Sequence, residues 1–177
     1  MIRRYGQSFE QPEDRYDGKH PEKSIRRLIA KGEGRTIEFK STMRRNLKSG
    51  KHGKEIELAW LKGVAAFLNT DGGILLLGVA DDAEVLGLGP DEFDNEDKCR
   101  LHFKNLFNQH IGPEYSRFVR FELFELEGRQ IAAVECERAS EPAFLHDRNT
   151  EAFYIRSGPS NIELSISQAL KYLRNRF

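Results

Sequence analysis

Ile74-Leu75-Leu76-Leu77-Gly78-Val79 is the stretch whose reading decides the fold. An unbroken apolar run of strand length between Gly72-Gly73 and Ala80-Asp81-Asp82 is the pattern of an interior strand covered on both faces. Upstream, Ile56, Trp60, Val64, Phe67 and Leu68 recur at helical spacing, which predicts a helix with one buried face over about 54–69. Asn69-Thr70-Asp71-Gly72-Gly73 stops it, since Asn and Gly commonly take the left-handed cap. Further upstream, Thr36-Ile-Glu-Phe-Lys40 alternates with period two, so Ile37 and Phe39 share one face while Thr36, Glu38 and Lys40 share the other. Ser24 to Lys31 reads as a short helix with Ile25, Leu28 and Ile29 on one side, ending at Gly32. Residues 1–21 are polar and poor in apolar positions, and read as an extended arm ahead of a domain over 22–177.

Downstream of the apolar run, a turn through Ala83 and Glu84 leads to Val85-Leu-Gly87. A third helix is expected over about 94–110, ended by Ile111-Gly-Pro113. Arg117–Leu126 and Arg129–Cys136 pair as strands across Glu127-Gly128. Ala152–Arg156 is another short strand, and Ser157-Gly-Pro-Ser160 is expected to turn the chain into a last helix striped by Ile166, Ala169, Leu170 and Leu173. The combination predicts a single α+β domain built on a mixed β-sheet flanked by helices.

At 177 residues with 38% hydrophobic residues, the chain can bury one ordinary core. Lys plus Arg (28) equals Asp plus Glu (28), so net charge does not steer the whole molecule toward a polyanion. Basic charge is instead local. Lys40, Arg44, Arg45, Lys48, Lys51 and Lys54 follow one another without an acid before Glu55, in a segment suited to phosphate contacts. Cys99 and Cys136 stand apart and form no Cys-x-x-Cys motif, which predicts reduced thiols. No apolar stretch approaches the ~20 residues of a membrane span, and the polar start lacks a secretory signal, so a cytoplasmic protein with no membrane partner is expected.

Glu33, Glu38 and Asp81 form an oxygen-rich donor set suited to Mg²⁺ or Mn²⁺, with Lys40 beside it to stabilise charge on a phosphate. Asp82 stands one position from Asp81 and is the alternative third acid. Glu38 and Lys40 share a strand face by periodicity, whereas Glu33 lies in the Gly32-Glu33-Gly34 turn ahead of it. A Glu-x-Lys pair on one strand face also occurs in many metal-dependent nucleases, where the further Asp precedes the pair rather than following it. The chain carries no Gly-x-x-x-x-Gly-Lys-Ser/Thr loop, no His-Glu-x-x-His and no Gly-x-Ser-x-Gly.

Taken together, Glu33-x4-Glu38-Phe39-Lys40, the helix end Phe67-Leu-Asn-Thr-Asp-Gly-Gly73, the run Ile74-Leu-Leu-Leu-Gly-Val-Ala-Asp-Asp82 and the late Phe153-Tyr-Ile-Arg-Ser-Gly158 resemble the Schlafen AlbA_2 domain family over about 25–173. That resemblance implies an AlbA_2-like fold and an action on nucleic acid. In Schlafen-type ribonucleases the catalytic acids fall at the positions matched here by Glu33, Glu38 and Asp81, with Lys40 matching the motif's Lys. It therefore implies a divalent-metal-dependent endoribonuclease acting on structured, tRNA-like RNA. The alternative is a module without catalysis that binds RNA or DNA through Arg44, Arg45, Lys48, Lys51 and Lys54, with Arg156 as a further contact. The Schlafen core has two related lobes and this chain has length for one, so a homodimer is the expected way to rebuild the cradle.

Overall fold

A computed structural model describes residues 20–177, and the arm expected over 1–21 lies outside them up to position 19. His20 and Pro21 already belong to the first helix, α1 (Pro21–Lys31), as its cap and first residue. Strand β1 (Ile37–Lys40) follows, then helix α2 (Lys54–Asn69), strand β2 (Gly73–Leu77), helix α3 (Glu96–His110) and the hairpin β3 (Val119–Leu126) and β4 (Arg129–Cys136). Strands β5 (Leu145–Asp147), β6 (Thr150–Ser157) and β7 (Ser160–Leu164) precede the last helix, α4 (Ile166–Arg176).

The strands form two sheets rather than one. The first, in the order β1-β2-β4-β3, is mixed: β1 runs parallel to β2, with Ile37 opposite Ile74 and Lys40 opposite Leu77, and the other pairs are antiparallel. Crossing from β1 to a parallel β2 requires a long connection, and α2 supplies it. Glu127 and Gly128, at φ 55° and 71°, make the two-residue turn between β3 and β4, the left-handed pair that matches strand twist. The second sheet is antiparallel in the order β5-β6-β7.

β2 is covered on both faces, as its composition predicts. Ile74 and Leu76 pack with Ile37, Phe39, Ile131 and Ala133 under Ile25 and Leu28 of α1. Leu75 and Leu77 pack on the opposite face with Val134, Phe67 and Val64, in the core that also contains α3's Phe103 and Phe107. The domain is therefore α+β with helices on both sides of the first sheet.

Three sequence expectations need correction. α2 is not buried on one face alone, because Trp60, Leu61 and every residue from Gly63 to Asn69 are buried. The second sheet closes over its other side, with Tyr154 in the same core and the Arg156 guanidinium 5.0 Å from the Phe67 ring centroid. Gly63, Ala65 and Ala66 are small enough for backbone and sheet to approach, so they carry no apolar periodicity to announce that face. Ser157 to Ser160 does not enter a helix directly but closes a hairpin, with Gly158 at φ 56° and Ser157 paired to Ser160. β7 follows, and α4 begins only after Ser165, whose side chain and that of Gln168 form a reciprocal capping box. Of the α4 stripe only Ala169 is buried, while Ile166 is 83% and Leu170 59% exposed.

Candidate functional site

Among the described residues β1 is an edge strand, and its outer edge is met by side chains and a turn. The Phe39 N–H donates to Glu33 Oε1 at 2.8 Å, and the Gly34 N–H donates to the Ile37 carbonyl at 2.9 Å. Arg156, arriving from β6, donates through Nη2 to the Ile37 and Gly34 carbonyls at 2.9 and 2.8 Å. Glu33 is thus held over β1 by a hydrogen bond to its backbone, the anchorage that periodicity does not provide.

On the α2-facing side of β1, the Glu38 carboxylate is the centre of a closed network. Arg156 Nη1 donates to Glu38 Oε2 at 2.8 Å, and the two side chains are 1% and 3% exposed. Lys40 Nζ lies 2.8 Å from Oε1 and also donates to the Phe39 carbonyl at 3.1 Å. Asn161 of β7 donates to both carboxylate oxygens at 3.0 Å and accepts from Arg156 Nη1 at 2.9 Å. A buried ion pair is tolerated when its remaining donors and acceptors are filled, and here they are. Burial holds the Arg156 pKa below its ordinary value, against the opposing pull of Glu38 and Glu33.

Gly63 makes room for this network. A Cβ at position 63 would lie 2.5 Å from Glu38 Oε2 and 3.0 Å from its Cδ, and the carboxylate is pinned by three partners. Gly63→Ala is expected to lower stability by about 1–3 kcal/mol through overpacking, despite the better helix propensity of Ala. Urea unfolding checks this, and a stabilised variant would show that Glu38 has room to withdraw.

The structure joins Glu38 to Lys40 and brings Glu33 to the adjacent backbone, while among the described residues no hydrogen bond or ion pair joins Asp81 to them. Asp81 and Asp82 are exposed at the tip of a turn in which Ala83 N–H donates to the Ala80 carbonyl and Ala80 N–H to that of Glu84. The Asp82 side chain accepts from the Glu84 N–H at 3.1 Å, an Asx turn. Among the described residues no group of three or more His, Cys, Asp or Glu side chains is arranged to hold a metal ion. With both Glu38 oxygens already bonded to cationic and amide donors, the expected Mg²⁺ or Mn²⁺ set does not fit this arrangement.

The basic segment between β1 and α2 is ordered by its own backbone. Gly53 N–H donates to the Arg44 carbonyl and Asn46 N–H to that of Lys51, closing a narrow loop, while the Asn46 side chain accepts from the Lys48 and Ser49 N–H groups. Its cations divide into two sets. Arg44 donates to the Asp91 and Glu92 carbonyls and lies over the Phe93 ring, 4.0 Å from its centroid. Arg45 pairs with Glu92, and Lys54 reaches across to Asp147 of β5, whose pKa its ammonium lowers. Lys48 and Lys51 are exposed at the tip, with no side-chain partner among the described residues. Arg156, expected at the phosphate surface, is buried in the Glu38 network instead.

Sequence reasoning missed Asn161 and Asp91. Asn161 lies in β7, where the sequence predicts the start of the last helix, and Asp91 is a single buried acid in a short 3-10 turn with no motif around it. Both cysteines are free and buried, and burial pushes the Cys99 thiol up to about 11, which leaves it unreactive at neutral pH.

The Schlafen, AlbA_2 family model matches residues 33–165, from Glu33 through the Glu38 network to the N-cap of α4. The chain belongs to this family. No curated protein matches it. Among solved structures, the AlbA_2 chain is similar to the DIP2311 protein from Corynebacterium diphtheriae, at 21% identity and TM-score 0.55 over 80% of this chain. The match covers 24% of that protein, so the chain spans about a quarter of its length. It is also similar, at 18% identity and TM-score 0.49, to the N-terminal domain of a protein from Nitrosomonas europaea named as related to the ATP-dependent DNA helicase RecG, over 78% of this chain and 91% of that one. The first likeness supports the fold. No helix among the described residues is long and apolar enough to cross a membrane.

Proposed function

We propose that this AlbA_2 chain is a nucleic-acid-binding module that docks phosphates of RNA or DNA on the loop between β1 and α2. The observation that carries the reading is the pair Lys48 and Lys51, exposed with no side-chain partner among the described residues at the tip of a loop whose backbone is hydrogen-bonded on itself. Arg44, Arg45 and Lys54 support it by fixing the loop's flanks rather than by reaching outward. Because the chain's net charge is zero, affinity rests on this local positive charge and falls steeply with salt. Lys48→Ala/Lys51→Ala is expected to weaken binding of a fluorescently labelled duplex RNA or DNA and to flatten the plot of log K against log salt by about 1 per lysine removed. Fluorescence anisotropy over a salt series measures it, and an unchanged slope places the contacts elsewhere.

The second reading is the metal-dependent endoribonuclease acting on tRNA-like RNA. One observation favours it: Glu33 Oε1 accepts from the Phe39 N–H at 2.8 Å, so two of the three motif acids are held at adjacent positions of β1. It requires Glu38 to exchange its bonded cations for a metal, and Asp81 to approach from its exposed turn. Incubating RNA with Mg²⁺ or Mn²⁺, with and without EDTA, separates the readings. Binding without cleavage supports the module, whereas metal-dependent cleavage abolished by Glu38→Gln supports the nuclease. A homodimer that rebuilds a two-lobed cradle goes with the nuclease reading, and a strictly monomeric mass in solution would count against it.

A further inference from the structure

We propose that Asp91 is a positioning residue for nucleic-acid binding: its buried carboxylate clamps the base of the basic loop and thereby fixes where Lys48 and Lys51 stand. This rests on the loop reading above. Asp91 is 0% exposed. Its Oδ1 accepts from the Arg44 and Arg45 N–H groups at 2.7 and 2.9 Å, and its Oδ2 accepts from the Met43 N–H at 2.8 Å. Three successive backbone donors converging on one carboxylate make a charge-assisted cradle, stronger and more directional than neutral hydrogen bonds.

The clamp is built from both sides. The Met43 carbonyl accepts from the Trp60 Nε1–H at 2.8 Å, so the same residue is held to α2 through its oxygen and to Asp91 through its nitrogen. Arg44 returns the contact by donating Nε to the Asp91 carbonyl at 2.7 Å and Nη2 to the Glu92 carbonyl at 2.8 Å. The Thr42 hydroxyl donates to the Arg45 carbonyl, and Arg45 pairs with Glu92. These contacts lie at residues 42–45, and the exposed lysines lie beyond them, where the loop is bonded through its own backbone and Asn46. A long side chain held in one place loses less freedom on meeting a phosphate than one on a wandering loop, so rigidity at the base becomes affinity at the tip.

Asp91→Asn tests the clamp with little change of shape. A carboxamide has one accepting oxygen, so its NH₂ must face either the Met43 N–H or those of Arg44 and Arg45. The expected results are a retained fold by circular dichroism, amide hydrogen exchange accelerated about ten- to hundredfold at Met43, Arg44 and Arg45, and binding of labelled duplex RNA weakened about three- to tenfold. In the Lys48→Ala/Lys51→Ala background, Asp91→Asn should add no further loss of affinity, because it acts through those lysines. Equal weakening in both backgrounds would assign Asp91 a general structural role and overturn the proposal. Accelerated exchange with wild-type affinity would overturn only the link to binding. A wild-type chain that binds neither RNA nor DNA would overturn the loop reading and this proposal together. Should Asp91→Asn fail to fold, Thr42→Val, which removes one bond at the loop base, carries the same exchange and coupling tests.

Discussion

Arg156→Met is expected to lower the stability of the domain by about 3–5 kcal/mol, read as a fall in the urea midpoint at unchanged slope. The guanidinium is a link between the two sheets: from β6 it reaches Glu38, Ile37 and Gly34 on or beside β1, and Asn161 on β7. Methionine fills similar volume but leaves the Glu38 carboxylate, 3% exposed, with Lys40 and Asn161, and it removes the Arg156 donors from the Gly34 carbonyl and one of the two donors to the Ile37 carbonyl. Breaking one partner of a buried pair costs more than the pair itself contributes, because the remaining charge stays in low dielectric. The matched experiment is Glu38→Leu/Arg156→Met, which removes both charges. The double variant should be more stable than the sum of the single effects predicts, by at least about 1 kcal/mol. Additive losses would mean that Glu38 and Arg156 each act through other partners.

Asn69→Leu is expected to cost about 3 kcal/mol, with the same measurement as its check. Asn69 is fully buried at the end of α2, where its side chain donates to the Ala143 and Tyr154 carbonyls at 2.7 and 2.9 Å and accepts from the Ala143 N–H at 2.8 Å. It thereby ties the crossover helix to the strand that carries Arg156 and to the segment leading into β5. Leucine is close in volume but satisfies none of these backbone groups, and each orphaned buried group costs about 1–3 kcal/mol. A loss below about 1 kcal/mol would show that the 139–145 segment relaxes to meet water.

The legible part of this fold is the part that local periodicity encodes. Ile74 to Val79 announces a strand buried on both faces, because nothing polar interrupts it, and Thr36 to Lys40 assigns Glu38 and Lys40 to one face by alternation alone. Both readings hold in the structure. The hairpin of β3 and β4 is legible for the same reason, since Glu-Gly is a turn between two alternating runs. β7 was not legible: Asn161-Ile-Glu-Leu is too short to separate from the first turn of a helix, and its partner strand decides the matter.

The candidate site divides along the same line. Glu33, Glu38, Lys40 and the basic loop could be picked out because their residue types stand in a recognisable order, and the family match begins at Glu33. What those residues touch could not be read, since each decisive contact spans a long separation: Glu38 with Arg156 and Asn161, and the loop base with Asp91. The sequence by itself determined an α+β domain, its buried central strand, its family and its basic segment. Only the tertiary structure decided that Arg156 is buried in the Glu38 network, that Asp81 stands in an exposed turn, and that one buried Asp bonds the base of the loop. The physical reason is that propensity and periodicity act between neighbours, whereas charge burial and hydrogen-bond satisfaction depend on which distant segments the packed core brings together.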